Sequence, residues 1–223
     1  MLGHVQAAYP GLRPVLFHSP YEAAAWAMLS HRRNRAQATA VQRRLSEAAG
    51  MTFTLAGEQQ HAFPLPQRLL EVGSFPGIEE PRLARLHGVA RAALDGQLEA
   101  AQVASLPPAE AAKALQQIKG LGPFYAMLVY LRSSGVKDAA ALDEPRLAAY
   151  LQHFYGLAGR PGPDEIRAIA EGWRPFRTWA SVLFRVAGDR DGLPVEGRSQ
   201  RRTRGGTAPQ APSLLASCVA DSP

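Results

Sequence analysis

Two glycines bracket a single leucine in Lys119–Gly120–Leu121–Gly122, and this segment holds the most chemical information in the sequence. A helical apolar pattern ends at Ile118, and a second helix is predicted to begin with Pro123. Glycine tolerates positive φ and close backbone approach, so Leu121 can fill the space between the two helices. The unpaired amides at the start of the second helix would then bind one phosphate. The same spacing also fits an ordinary helix–helix turn with a glycine cap.

A cluster of basic residues, His31–Arg32–Arg33–Asn34–Arg35, lies between two other predicted helices. No acidic residue follows it until Glu47. Taken with the glycine turn, this loop predicts phosphate contacts by its three arginines and by Lys119. The alternative interpretation is a basic loop that is merely solvated.

Composition narrows the classes of partner. The chain has 223 residues, a formal net charge of +6 and a pI of about 9.9, which favour an acidic partner: nucleic acid first, an anionic membrane second. No apolar stretch is long enough to span a bilayer, and the N-terminus lacks the pattern of a signal peptide. The single cysteine, Cys218, excludes an internal disulfide and a cysteine-ligated cluster, and it favours a cytoplasmic location.

The organisation of the chain is predicted to be all-α. We expect an N-terminal lead-in over 1–14, a helical domain over 15–187, and a disordered tail rich in Arg, Gly and Pro over 188–223. Residues 51–64 are expected to be a loop, or at most a short extended piece. Helices are predicted at 19–30, 38–48, 66–72, 80–95, 107–118, 123–131, 145–155, 164–172 and 175–187.

Four segments resemble, in order, those of the helix-hairpin-helix DNA glycosylase superfamily. The run 115–126, Leu-Gln-Gln-Ile-Lys-Gly-Leu-Gly-Pro-Phe-Tyr-Ala, is similar to its hairpin. Residues 19–30 resemble its first core helix and 88–96 the helix before the hairpin. The segment 173–180, Trp-Arg-Pro-Phe-Arg-Thr-Trp-Ala, resembles the closing segment of the 3-methyladenine DNA glycosylase II branch. The resemblance covers roughly residues 10–187.

This resemblance implies a helix-hairpin-helix glycosylase core without the extra N-terminal β domain that this branch often carries. It implies a monomer that binds double-stranded DNA, flips out a damaged nucleotide and hydrolyses its N-glycosidic bond in base-excision repair. The lysine that makes some relatives lyases would fall at Phe124, so the expected enzyme is monofunctional. No cofactor is implied, apart from a structural monovalent cation held by backbone carbonyls at Gly120 and Gly122.

The resemblance also places the catalytic carboxylate. The Asp of the family falls on Glu144, and Asp143 matches the acidic residue that often precedes it. Such a carboxylate stabilises the positive charge that develops on the sugar as the base departs. Three hypotheses remain open: Glu144 acts, Asp143 takes over the role, or the site is inactive. Both residues also fit the ordinary start of a helix before Pro145.

The base pocket implied by the family is aromatic in part. Phe124 takes the first stacking position, Leu128 the second, and Arg185 replaces a third aromatic residue. Tyr125 could supply a further ring, as could Phe176 or Trp179 of the closing segment. By position, Arg32 would wedge into the gap that the flipped base leaves.

Three functions follow from these observations. The leading hypothesis is a monofunctional glycosylase for alkylated purines. The main alternative is a non-catalytic protein that binds DNA or senses damage and has lost the strict catalytic Asp; Glu144 and Arg185 favour it. The third is a helical interaction protein whose glycine turn is only structural, and it alone predicts no salt-dependent DNA binding.

Overall fold

The computed structural model of the chain describes residues 1–139 and 145–193, which form helices and one small β-hairpin. In chain order the elements are α1 (Leu2–Ala8), α2 (Pro20–Ser30), α3 (Arg35–Ala49), β1 (Thr52–Leu55), β2 (Glu58–His61), α4 (Pro66–Leu70), α5 (Glu80–Leu94), α6 (Ala100–Ser105), α7 (Pro108–Leu115), α8 (Pro123–Ser133), α9 (Pro145–Tyr155), α10 (Pro163–Glu171) and α11 (Arg177–Arg190). The predicted all-α class is confirmed. Within the described ranges, no helix is long and apolar enough to cross a membrane.

Side-chain caps fix the starts of both α2 and α3. At the start of α2, Ser19 Oγ accepts a hydrogen bond from the Glu22 amide at 3.2 Å, and Pro20 occupies the first helical position. At the start of α3, Asn34 and Gln37 form a reciprocal capping box with distances of 2.8 and 3.4 Å. Only residues 31–34 separate the end of α2 from the start of α3, so this loop has few conformations open to it.

Three parts of the fold differ from the expectations: the β1–β2 hairpin, α1 and α6. Strands β1 and β2 pair antiparallel with Thr52 opposite His61, in a region expected to be a loop or a short extended piece. Ala56 and Gly57 both have positive φ, 51° and 84°, which is the two-residue turn that suits a hairpin. Helix α1 forms within the predicted lead-in, and α6 was not predicted. Each strand and each of these helices is too short to show a clear period.

The buried side chains form two clusters. The first combines α2 to α8 and includes Leu29, Leu86 and Val129. The second combines α1, α9, α10 and α11 around Tyr150 and Phe184, both fully buried. Val5 of α1 is 2% exposed, so this first helix is packed into the second cluster. The chain leaves the second cluster after Leu12 and joins the first at Phe17.

A glycine allows α11 to pack against α9. A Cβ atom at Gly188 would lie 2.5 Å from the ring of Tyr150, whose hydroxyl donates to Asp189 Oδ1 at 2.5 Å. We expect Gly188→Ala to lower the free energy of unfolding by about 1–3 kcal/mol, because a buried ring must move. Gly88→Ala, in α5 with open space around its Cβ position, should instead be neutral or stabilising. Denaturant unfolding of both variants tests this, and equal stabilities would contradict the packing described.

Candidate nucleic-acid interface and base pocket

The turn between α7 and α8 requires its first glycine. Gly120 has φ +102°, and a Cβ there would lie 3.1 Å from both Met28 Sδ on α2 and Arg85 Cδ on α5. The Leu121 amide donates to the Ile118 carbonyl at 3.0 Å, and the Leu121 side chain is buried in the first cluster. The hairpin is therefore held against α2 and α5 in one conformation.

The N-terminus of α8 faces outward from this turn with its amides uncapped by any side chain. Gly122 is the N-cap residue, and Pro123 follows without an amide hydrogen. The next two amides, of Phe124 and Tyr125, lie in the first helical turn, where no carbonyl of the same helix can accept from them. Lys119, which precedes the N-cap residue by three positions, is exposed. This end of α8 can bind an anion such as a phosphate.

The backbone carbonyls of Gly120 and Gly122 are the predicted ligands of a structural monovalent cation. The Gly122 carbonyl already accepts from the Ala126 amide at 2.9 Å as the first bond of α8. A carbonyl oxygen has a second lone pair, so this bond does not exclude a cation. Among the residues that the structure describes, no cluster of His, Cys, Asp or Glu could hold a metal ion.

The basic loop lies beside the hairpin. The His31 ring is 5.6 Å from the ring of Tyr125, centroid to centroid. Arg32 and Arg35 are exposed, and Arg32 has a left-handed backbone with φ +54°. Arg33 differs from its neighbours, because its Nη2 donates to the Gly77 carbonyl at 2.6 Å. Of the three arginines predicted to contact phosphates, Arg33 is thus engaged within the protein.

Helix α5 supplies two arginines that the sequence analysis missed. Arg82 Nη1 donates to the carbonyls of Met28 at 2.5 Å and His31 at 3.0 Å, and so caps the C-terminal end of α2. Arg85 is exposed next to Gly120. The two residues are three apart and share one helix face, which is the signal that could have found them.

These arginines create a strongly positive surface. Burial lowers the pKa of His31, and Arg32, Arg82 and Arg85 lower it further. Burial likewise lowers the pKa of Arg82, with Arg33 and Arg85 acting in the same direction. Like charges are therefore close enough to repel one another here, which an anionic partner would relieve.

Two of the predicted pocket residues, Phe124 and Leu128, lie on one face of α8. Phe124, Leu128 and Arg132 are spaced four apart, so they share a face of the helix. Phe124 is 37% exposed, and its ring packs edge-on against Tyr125 with centroids 5.3 Å apart. Leu128 and Tyr125 are half-buried. A surface-exposed phenyl ring at the helix start leaves a face on which a base could stack.

Charged residues of other helices act on Arg132, at the end of this face of α8. Burial lowers the pKa of Arg132, and the nearby charges of Arg185 and Arg35 lower it further. Arg185 is half-buried on α11, whereas Arg35 begins α3. The charges of Arg35 in α3 and Arg185 in α11 thus both act on Arg132.

The aromatic residues of the closing segment lie elsewhere. Phe176 and Trp179 are 44% and 38% exposed, with ring centroids 5.5 Å apart. They line a cavity of about 720 Å³ against the N-terminal segment, where the guanidinium carbon of Arg13 stands 5.4 Å from the Trp179 ring. Trp173 is buried in the second cluster. Phe176 and Trp179 therefore face the N-terminal segment.

Asp143 and Glu144 lie outside the described residues. The structure describes the chain on both sides of them, up to Ala139 and from Pro145, where α9 begins. The start of α11 forms hydrogen bonds with Lys137, Asp138 and Ala139. The placement of the two acidic residues in the site remains a prediction.

No protein-family model matches the chain. It is 25% identical over 181 residues to a DNA-3-methyladenine glycosylase of Bacillus subtilis, covering 79% of this chain and 60% of that protein. It is 30% identical over 183 residues to DNA-3-methyladenine glycosylase 2 of Escherichia coli, covering 80% and 61%. The chain thus spans about three fifths of the length of these two relatives.

The fold is also similar to a solved structure of MBOgg1 in complex with a low-affinity DNA ligand. The TM-score is 0.73 at 21% identity, over 86% of this chain and 66% of that one. At this sequence identity, the structural likeness shows only that the folds are similar. The two relatives found by sequence are named as DNA-3-methyladenine glycosylases. The ordered motifs, the hairpin geometry and these likenesses agree. The chain is similar to DNA-3-methyladenine glycosylases in sequence, in agreement with the resemblance of its motifs to the helix-hairpin-helix DNA glycosylase superfamily.

Proposed function

We propose that this chain is a monofunctional DNA glycosylase that binds double-stranded DNA, flips out an alkylated purine and hydrolyses its N-glycosidic bond in base-excision repair. The observation that carries the proposal is the Gly120–Gly122 hairpin, whose uncapped helix start lies beside an arginine-rich loop. The sequence relatives named 3-methyladenine glycosylases support the choice of alkylated purines. The proposal brings with it a cytoplasmic, DNA-associated location.

DNA binding would rest on contacts to the backbone. Amides at the start of α8 would hold one phosphate, and Lys119, Arg32, Arg35 and Arg85 are exposed for others. Such contacts position a protein on the duplex without reading its sequence. This suits an enzyme that must search all sequences for a damaged base. Arg32 is exposed in this loop, and we assign to it the insertion into the vacated stack.

The chemical step would need few groups. An alkylated purine that carries positive charge is already a good leaving group, so its departure mainly requires stabilisation of the sugar cation. We assign this to Glu144, with Asp143 as the neighbouring carboxylate, because a negative charge in a site poor in water lowers the barrier to charge development. Water then attacks the sugar. Phe124 would stack on the flipped base, whose positive charge is attracted to a ring face.

Two departures from the family's pattern support a second candidate. Arg185 replaces an aromatic residue of the base pocket, and a guanidinium is a poorer partner for a cationic base than a ring. With Glu144 at the position of the family's Asp, this supports a protein that binds damaged DNA and does not cut. The two candidates share the hairpin and the basic loop, so DNA binding cannot separate them.

Release of free bases separates the two candidates. DNA treated with a methylating agent is incubated with the protein, and the small molecules released are identified by chromatography. The glycosylase proposal expects methylated purines above the level given by Glu144→Gln protein purified in the same way. That variant controls for contaminating glycosylases. No release by a protein that still binds the DNA would establish the second candidate.

Salt dependence tests the interface itself. We expect duplex binding to weaken steeply with salt, and Arg85→Ala to reduce the slope of log K against log salt by about 1. Arg68→Ala removes an equal charge from α4, where Arg68 is paired with Glu71, and it should leave the slope unchanged. Fluorescence anisotropy over a salt series measures all three proteins. A salt-independent affinity would favour the helical interaction protein.

A further inference from the structure

Two arginines connect the basic loop to the start of α5 by hydrogen bonds that run in opposite directions. Arg82, in the first turn of α5, donates from Nη1 to the carbonyls of Met28 at 2.5 Å and His31 at 3.0 Å. Arg33, in the loop, donates from Nη2 at 2.6 Å to the carbonyl of Gly77, which precedes α5. We call this pair of guanidinium groups the cross-tie. Each arginine binds backbone supplied by the segment that carries the other.

The cross-tie fixes the point at which the chain leaves α2. Helix α2 ends at Ser30, so its last carbonyls have no acceptor role left within the helix. Arg82 is half-buried and supplies a charged donor, which makes a stronger hydrogen bond than a neutral one. The donors of a guanidinium lie in one rigid plane, so a single side chain can hold two carbonyls in a set relative position. The first residue of the loop is therefore held in place by α5.

Stability alone does not account for the cross-tie. Burial lowers the pKa of Arg82, and the charge of Arg33 lowers it further, so the two positive charges repel each other. Arg33 Nη1 and Arg82 Nε are buried and have no hydrogen-bond partner among the described residues. A buried donor without a partner is costly. A glycine after Ser30 would end the helix without these costs.

Arg32 lies between the two residues that the cross-tie holds. The carbonyl of His31, before it, accepts from Arg82. The side chain of Arg33, after it, bonds to Gly77. Arg32 itself is exposed and has φ +54°, a left-handed conformation that residues other than glycine rarely adopt. Such a conformation persists only where the surrounding structure fixes it, and the cross-tie supplies that constraint.

We propose that Arg82 and Arg33 are positioning residues, which hold the loop so that Arg32 enters the DNA stack as the damaged nucleotide leaves it. This inference rests on the proposed function, from which it takes the insertion of Arg32. An inserting side chain must meet a gap one base wide, and a displacement of about 1 Å can cost about a hundredfold in rate. Loss of the cross-tie should therefore slow the opening of the stack even when all the DNA is bound.

The test is a double-variant cycle read by fluorescence. A duplex with one alkylated purine carries 2-aminopurine as the neighbouring base, and its fluorescence rises when the stack opens. Arg82→Met keeps the aliphatic part of the side chain and removes the donors. At saturating protein, Arg82→Met and Arg32→Ala should each open the stack at least about tenfold more slowly than the wild type. The double variant should be no slower than Arg32→Ala alone, because Arg82 acts through Arg32.

Arg91→Met is the matched control, because it removes the same charge from the last turn of α5, where Arg91 is exposed. Its rate should equal that of the wild type. Losses that multiply in the double variant would overturn the proposal, since Arg82 would then act independently of Arg32. A wild-type rate in either single variant would overturn it too. Arg33→Met breaks the other half of the cross-tie and replaces Arg82→Met in the cycle if that variant fails to fold.

Hydrogen exchange gives a readout that needs neither DNA nor activity. The Arg33 amide donates to the Ser30 carbonyl at 3.0 Å within the loop, and it should exchange faster in Arg82→Met. The Ala62 amide, which donates to the Met51 carbonyl at 2.9 Å beside the β1–β2 hairpin, should keep its wild-type rate. Unchanged exchange at Arg33 in the folded variant overturns the cross-tie. Wild-type protein that opens the stack and releases no base overturns only the glycosylase proposal, whereas a stack that stays closed overturns both.

Discussion

Glu144→Gln is expected to lower the single-turnover rate of base release from alkylated duplex DNA by at least about a hundredfold. The amide has nearly the shape of the carboxylate but carries no charge, so it cannot stabilise the positive charge that develops on the sugar. DNA affinity should change little, because the proposed phosphate contacts lie on the hairpin, the basic loop and α5. The rate is measured with enzyme in excess by quenching the reaction at set times and counting released base. Fluorescence anisotropy measures the affinity for DNA.

Asp143→Asn is the matched control, because it removes the same charge from the adjacent residue. We expect a much smaller loss of rate in this variant. If only Asp143→Asn lost activity, the catalytic role would belong to Asp143, and the family's Asp would have shifted by one position. Full activity in both variants would contradict a carboxylate mechanism at this segment.

Gly120→Ala should weaken duplex binding by about tenfold. Gly120 has φ +102°, which costs an L-residue about 1–2 kcal/mol. The added Cβ would also lie 3.1 Å from Met28 and Arg85. The turn would have to reopen, and the amides at the start of α8 would no longer point at one phosphate.

Gly96→Ala separates this effect from a general loss of stability. Gly96 has φ +80° after the end of α5, and its Cβ position is open. Both variants should unfold more easily, but only Gly120→Ala should bind DNA less tightly. Comparison of their Kd values at equal folded fraction tests the hairpin. Equal affinities would show that the turn does not contact DNA.

The helices and the hairpin follow from local chemistry, which is why the sequence predicts them. Ser19 and Pro20 mark the start of α2, and two glycines mark the turn before α8. These signals act over three or four residues and need no knowledge of the tertiary structure. The helix predicted at 145–155 has the observed bounds for the same reason, because Pro145 starts it and Gly156 follows it.

Contacts between residues that are far apart along the chain could not be predicted from the sequence. Arg82 caps α2 from a position 54 residues after Met28, and no local pattern indicates that pairing. Arg33 is as basic as Arg32, yet it bonds to Gly77, which lies 44 residues further along the chain. The hydroxyl of Thr178 likewise accepts a hydrogen bond from the amide of Ala139, 39 residues before it. Residue type predicted a basic surface, and only packing decides which arginines remain available to DNA.

The aromatic residues illustrate the same limit. Phe124, Phe176 and Trp179 are all plausible partners for a flipped base by type. The structure puts Phe124 at the start of α8 beside the hairpin, whereas Phe176 and Trp179 face the N-terminal segment across a separate cavity. Helix α1 was too short to be predicted. The side of the cavity that α1 lines could therefore not be predicted either.

The most direct test of the account is a duplex that carries one alkylated purine at a known position, incubated with excess protein. We expect an alkali-labile abasic site to accumulate at that position only, with the strand intact until alkali is added, as hydrolysis by an enzyme without a lyase lysine requires. An unchanged duplex that the protein nevertheless binds would contradict the account, and the chain would then be a DNA-binding relative that does not cleave.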